Sequence, residues 1–238
     1  LNWISDEDLV NIDTNILLEV SMSDGWQSST SNQIVIHFDN QVLPLLTTIQ
    51  PDTGQYMYWY DQITLAFTGQ MDLESYTSGV MLESNQRGVL EYDAEFIQYN
   101  EAAHLIITPL ENYYADEQIQ ISINQQLRDV WNNPFDGNGN GDPDGVADED
   151  TILFAINLLG DFDRSSLVDF EDLVSLQQNW WDETVTPADE IGPATGTPPF
   201  MQIQPDLKMD FEDLMIFVQM WNWSNGFDYD GNRIVRSR

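Results

Sequence analysis

The sequence predicts a mostly-β chain: an antiparallel β-sandwich that gives way to a C-terminal α-helical module. Three observations carry this. Short runs rich in β-branched and aromatic residues recur between turn signals up to about residue 160. One of them, Gln118-Ile119-Gln120-Ile121-Ser122-Ile123, alternates polar and apolar strictly, as a half-buried strand does. After Gly160 the apolar period becomes helical, twice over.

The expected strands are 15–22, 33–38, 62–67, 95–99, 104–108 and 118–123. Their regular spacing, with no helical pattern between them, is what points to a sandwich. Strand chemistry stops at 136–150, where Asp-Gly-Asn-Gly-Asn-Gly-Asp-Pro-Asp-Gly takes over. The expected helices are 169–180 and 210–221. The first carries Phe170, Leu173, Val174, Leu176 and Trp180 at helical spacing, the second Phe211, Leu214, Met215, Phe217, Val218 and Trp221. The two are an internal repeat. Val168-Asp169-Phe170-Glu171-Asp172-Leu173 aligns with Met209-Asp210-Phe211-Glu212-Asp213-Leu214, and a Pro/Gly/Thr-rich link, 184–199, joins them. Trp180, Trp181, Trp221 and Trp223 follow the helices and are expected to pack the pair together.

At 238 residues the chain fits one large domain or two to three small ones. Hydrophobic residues make up 42% and aromatic residues 12%, enough for a packed core. Asp and Glu number 41 against 7 Lys and Arg, a formal net charge of −34. Such a polyanion repels phosphate backbones and anionic lipid, so neither nucleic acid nor membrane insertion is expected, and no apolar run approaches the ~18 residues of a span. It attracts cations. Abundant calcium and high salt both suit it; Lys208, the single lysine, also suits a salt-adapted surface. With no cysteine, disulfide usage says nothing about compartment. No signal-peptide pattern opens the chain and Leu1 is not an initiator methionine, so a mature or truncated product is expected.

The acidic residues fall at spacings that calcium needs. A 12-residue loop ligates from positions 1, 3, 5, 7, 9 and 12, with six to eight oxygens at about 2.3–2.6 Å. Counting from Asp161 gives Asp161, Asp163, Ser165, the Leu167 carbonyl, Asp169 and Asp172. Helix capping alone explains Asp169 and Asp172 but not Asp161 and Asp163. In the repeat, Asp213 falls at 12, Asp210 at 9, the Lys208 carbonyl at 7 and Asp206 at 5. Positions 3 and 1 would be Gln204 and Gln202, so an interrupted loop is expected, with Asp189 as its first ligand. A third cluster holds Asp136, Asn138, Asn140, Asp142, Asp144, Asp148 and Asp150. One frame starts at Asn140 and runs to Asp148 at position 9; others start at Asp136 or Asn138. Asn-Gly and Asp-Gly also make ordinary turns.

The repeat region, with Gly160-Asp161-Phe162-Asp163 and the twin Asp-Phe-Glu-Asp-Leu blocks, resembles a dockerin domain, a paired EF-hand-like calcium-loop-and-helix module. The resemblance implies calcium as cofactor and a cohesin-like protein domain as partner. Phe170, Glu171, Phe211 and Glu212 stand where many dockerins carry small hydroxyl residues that contact cohesin, so they are the expected partner-binding residues. Residues 44–156 resemble bacterial Ig-like domains of S-layer and other cell-surface proteins. That resemblance rests on Ile49-Gln50-Pro51-Asp52-Thr53-Gly54, Ile63-Thr64-Leu65-Ala66-Phe67, Leu105-Ile106-Ile107-Thr108-Pro109 and Leu127-Arg128-Asp129-Val130-Trp131-Asn132-Asn133-Pro134. It implies a spacer or stalk, with a closing strand at 151–156. The expected organisation is a partial β segment at 1–43, the Ig-like sandwich at 44–156, the dockerin-like domain at 157–225 and a tail at 226–238, which carries three of the six arginines.

No enzyme is expected. His37 and His104 lie in strand patterns, no nucleophile-elbow motif is present, and no phosphate-cradling Gly loop precedes a lysine. Carboxylates are too numerous for pairing to carry information about glycoside hydrolysis. The expected role is a secreted or cell-surface structural module that binds calcium and assembles with other proteins. One alternative is a filament subunit that joins copies of itself by strand augmentation. A weaker one is a carbohydrate-binding module using Tyr56, Tyr58, Trp59 and Tyr60, whose rings otherwise serve strand and core.

Overall fold

The computed structural model describes residues 13–20, 32–39, 43–99, 102–142, 145–181 and 185–226. The fold is mostly β. Strands β1 (Asp13–Val20) and β2 (Asn32–Asp39) form an antiparallel hairpin with Asp13 opposite Asp39 and Val20 opposite Asn32. The body of the chain supplies β3 (Leu46–Gln50), β4 (Tyr56–Met57), β5 (Ile63–Thr68), a single helical turn α1 (Tyr76–Gly79), β6 (Val80–Ser84), β7 (Gly88–Val89), β8 (Tyr92–Gln98), β9 (Ala102–Pro109), β10 (Gln118–Ile123) and β11 (Asp150–Ile156). One sheet has the order β3-β5-β9-β8, the other β4-β11-β10-β6-β7. All neighbours are antiparallel except the short β11–β4 pair.

The alternation read in 118–123 is the reason the two sheets pack. Ile119, Ile121 and Ile123 are buried while Gln118, Gln120 and Ser122 are not. They meet Ile63, Leu65, Phe67, Leu105 and Ile107 of the other sheet in one core, with Phe135 edge-to-face on Phe67 at 6.0 Å. Beside that core Glu117 is fully buried, held by Arg87 Nε and Nη2 at 2.8 and 2.9 Å and by the Tyr114 N–H. Expected strands 62–67, 95–99 and 104–108 fall within or beside β5, β8 and β9; β3, β4, β6 and β7 were not anticipated.

Beyond β11 come α2 (Phe170–Asn179), a second hairpin β12 (Ala194–Thr197) and β13 (Phe200–Ile203), and α3 (Phe211–Ser224). Both helices start with a capping box. Asp169 and Asp210 accept the N–H groups of Glu171 and Glu212, while Asp172 and Asp213 reach back to the cap N–H. The link expected at 184–199 therefore carries strand structure: β12 lies in it, paired to β13 with Ala194 opposite Ile203.

A second core gathers Leu158, Leu159, Val168, Leu176, Ile191, Met201, Ile203, Ile216, Phe217 and Met220. Trp59 and Ala115, from connections of the sandwich, complete it. The Ala115 N–H donates to the Met201 carbonyl (3.0 Å), and Asn112 Nδ2 donates to the Ile203 carbonyl (3.3 Å). So the β12–β13 hairpin seats the helical part on the sandwich, and the two are joined through a shared core.

Candidate metal centre

The first loop is built by carboxylates folding their own backbone. Asp161 is 2% exposed and Asp172 0%. Asp161 accepts the Ser165 N–H at Oδ1 and the Ser166 N–H at Oδ2, each at 2.9 Å. Asp163 Oδ1 also accepts from Ser165 (3.0 Å). Asp172 accepts the N–H groups of Phe162 (2.7 Å) and Asp163 (3.3 Å) at Oδ1 and of Asp169 (2.9 Å) at Oδ2. These bonds hold Arg164 and Ser166 at left-handed φ of +61° and +70°, a conformation non-glycine residues adopt only under such constraint. Gly160, at φ +82°, makes the turn into the loop; a Cβ there would stand 3.0 Å from the Phe217 ring.

Asp161, Asp163 and Asp172 each bring a carboxylate oxygen within 4.8 Å of the others, an arrangement that could hold a metal ion. Burial pushes the Asp161 carboxyl up to about 6, with the Asp172 charge adding to the rise. Burial also raises Asp172, against the pull of its three N–H donors. Among the described residues no lysine or arginine pairs with these three groups. Ser165 Oγ donates to the Leu167 carbonyl at 3.3 Å, so two of the three further predicted ligands lie in the same turn; the third, Asp169, caps α2 and is not in the converging group.

The second loop repeats this pattern across an interruption. Asp213 accepts from Ile191 and Gly192 at Oδ1 and from Asp210 at Oδ2, just as Asp172 accepts from Phe162, Asp163 and Asp169. Ile191 therefore stands where Phe162 does, and the residue before it, Glu190, stands where Asp161 does. Glu190 is fully buried, and its Oε1 accepts the N–H groups of Asp206 and Leu207 as Asp161 accepts those of Ser165 and Ser166. Leu207 has the left-handed φ (+59°) of Ser166. Asp189, expected in this place, instead closes its own turn: Oδ2 accepts from the Thr186 N–H and Oγ1, and Oδ1 from Asn179 Nδ2. Carboxylate oxygens of Asp206, Asp210 and Glu212 converge within 4.8 Å. Lys208 brings a competing charge, its Nζ 2.6 Å from Asp206 Oδ2.

The third acidic stretch turns on hydrogen bonds that start at Asp136, but a 12-residue frame from there ends on Ala147, and among the described residues its carboxylates do not form a converging group of three. Asp136 accepts the Gly139 and Gly141 N–H groups, Asn138 Oδ1 accepts from Asn140, and Asn140 Oδ1 from Asp142. Gly139 and Gly141 have φ of +70° and +86°, matching Arg164 and Ser166 in offset and sign. Asp148 is fully buried and accepts from Gln125 Nε2. Asp144 lies outside the described residues.

The four expected partner-binding residues are exposed, Phe170 at 65% and Phe211 at 73%. Leu173, Val174, Met215 and Val218 are exposed with them, so much of the apolar stripe read in the helices faces solvent. Trp181, expected between the helices, is exposed, and Trp180 packs edge-to-face on Phe211 at 5.9 Å; Trp221 and Trp223 do border the second core. The four aromatics weighed as a sugar platform are engaged within the chain: Ser166 Oγ donates to the Tyr56 hydroxyl (2.7 Å), Arg164 covers the Tyr58 ring at 4.5 Å, Trp59 is core and Tyr60 stacks on Tyr58 at 5.5 Å. His104 lies edge-on to Tyr99 in β9.

No family model matches the chain, and no curated protein matches it.

Proposed function

We propose that the protein is a non-catalytic, extracellular anchoring module that binds calcium in its C-terminal loops and docks to another protein through α2 and α3. In this reading 44–156 is an Ig-like spacer and 157–225 a dockerin-like domain with a cohesin-like partner. The observation that carries it is the convergence of Asp161, Asp163 and Asp172, two of them buried and none paired to a lysine or arginine among the described residues. Buried carboxylates at such range repel one another, and a divalent cation with hard oxygen preference removes that cost. Metal liganding here becomes folding energy of the helix starts. Phe170, Leu173 and Val174 on α2 and Phe211, Met215 and Val218 on α3 are exposed and offer a partner apolar contact once the loops are fixed. Calcium is abundant outside cells, which suits a chain of net charge −34.

The test uses the full chain. Calcium at about one hundred times the dissociation constant adds about 2.7 kcal/mol per site, which raises Tm by several degrees relative to chelator. A calorimetric titration with no heat, together with a melting curve unmoved by millimolar calcium, refutes the proposal. A Phe170→Ala/Phe211→Ala variant is expected to keep the calcium response and lose capture of a cohesin-like domain.

A further inference from the structure

We propose that Asn138-Gly139 and Asn140-Gly141 are a pair of latent deamidation sites, held closed by the single carboxylate of Asp136. They belong to the sandwich part of the chain and do not depend on calcium in the paired loops. The reaction is intramolecular. The peptide nitrogen of the glycine, once its proton has gone to a solvent base, attacks the asparagine Cγ. A C–N bond forms, the Cγ–Nδ2 bond breaks, and ammonia leaves. Water then opens the resulting succinimide at either carbonyl, to aspartate or isoaspartate. Asparagine followed by glycine is the reactive order, because no Cβ shields the attacking nitrogen. Both asparagines are exposed, so water and base reach them.

The fold opposes this attack in two ways. The attacking nitrogen must shed its proton, yet the Gly139 N–H donates to Asp136 Oδ1 at 2.7 Å and the Gly141 N–H to Asp136 Oδ2 at 2.9 Å. A hydrogen bond to an ionised acceptor stabilises the donor's protonated form. Asp136 does not serve as the base, since a carboxylate is far too weak to take a proton from a peptide nitrogen. The attacked side chains are tied as well. Asn138 Oδ1 accepts the Asn140 N–H (2.9 Å) while its Nδ2 donates to the Ala147 carbonyl (3.3 Å), and Asn140 Oδ1 accepts the Asp142 N–H (2.7 Å). These bonds restrict the side-chain rotation that attack needs.

The guarding carboxylate is anchored from outside the stretch it protects. Asp136 is 2% exposed, its N–H donates to the Pro44 carbonyl (3.0 Å), and Phe135 before it lies in the sandwich core. Loss of this one group therefore releases both nitrogens together. Each conversion then adds one negative charge to an already acidic stretch.

The experiment ages the full chain, wild type and Asp136→Ala, in mildly alkaline buffer. Peptide mass spectrometry counts deamidation site by site, and methyltransferase labelling identifies isoaspartate. Asn225-Gly226, whose Gly226 N–H donates to the Trp223 carbonyl (3.1 Å) and not to Asp136, is the internal reference. Asp136→Ala is expected to speed conversion at Asn138 and Asn140 about ten- to hundredfold, the factor that one charge-assisted hydrogen bond is worth, and to leave Asn225 unchanged. Unchanged or slower conversion at Asn138 and Asn140 overturns the inference, and a rise at only one of them overturns Asp136 as a shared guard. A rise at all three sites means that Asp136→Ala has unfolded. Amide exchange of the wild type then decides: Gly139 and Gly141 amides protected against exchange support the guard, and exchange as fast as in the urea-unfolded chain overturns it.

Discussion

Replacing Trp59 by alanine tests whether the helical part depends on the sandwich. Trp59 belongs to a sandwich connection yet is 7% exposed within the core that holds Leu159, Ile191, Met201 and Phe217. A tryptophan buries about 200 Å², which at about 25 cal/mol per Å² amounts to about 5 kcal/mol, in line with the 3–5 kcal/mol typical of such truncations. The edge-to-face contact with Tyr60 at 4.8 Å is lost as well. For a chain of this size each kcal/mol moves Tm by about 2–4 °C, so a drop of about 10 °C is expected. Where the drop originates matters more than its size. Hydrogen exchange should quicken at Ile216, Phe217 and Met220 of α3 more than at Leu105 and Ile107 of β9. Phe135→Ala, of similar cost but confined to the sandwich core, should reverse that order. If Trp59→Ala leaves α3 protected as in the wild type, the shared-core reasoning is wrong.

Two further outcomes follow from the sandwich. Arg87→Met strands the fully buried Glu117 carboxylate without its bidentate partner and should cost about 3–5 kcal/mol by denaturant titration, with part recovered in Arg87→Met/Glu117→Gln. Gly79→Ala would place a Cβ 2.3 Å from the Leu127 backbone nitrogen and should cost about 3 kcal/mol. Gly54→Ala, with nothing within 4 Å, should stay within about 0.5 kcal/mol.

What the sequence disclosed divides along local and non-local lines. Strict alternation made β10 legible to the residue, and the Asp-Phe-Glu-Asp blocks announced both capped helices, because these signals lie within a few consecutive residues. The apolar periods of α2 and α3 were also real, yet periodicity does not say which apolar residues find a core: Leu176 and Phe217 do, Phe170 and Phe211 do not. β12 was read as linker and β13 went unread because these strands have four residues each, Ala-Thr-Gly-Thr and Phe-Met-Gln-Ile, and what orders them is contact with residues 112–115 far away in sequence. Glu190 escaped for the same reason: counting positions presumes an unbroken loop. One local signal was available. Glu190-Ile191 reproduces the acid-then-apolar order of Asp161-Phe162, and both apolar residues pack with the second core.

The interruption of the second loop and the joint between the two parts are one feature seen from two sides. An inserted hairpin breaks the spacing of the acidic residues, but it brings Met201 and Ile203 into the core and gives the sandwich backbone somewhere to bond. The first loop reaches the same neighbour by side chains, Arg164 over Tyr58 and Ser166 on Tyr56. Both loops thus have part of their structure fastened to the sandwich, while the apolar residues at the helix starts are left to solvent. A change in either loop is felt first at the joint, since a tie through buried main-chain bonds and a shared core transmits displacement that an exposed linker would absorb. The helix surface of Phe170 and Phe211 lies one turn or less from the capping carboxylates Asp169, Asp172, Asp210 and Asp213, so fixing those carboxylates fixes both the joint and the outward surface together.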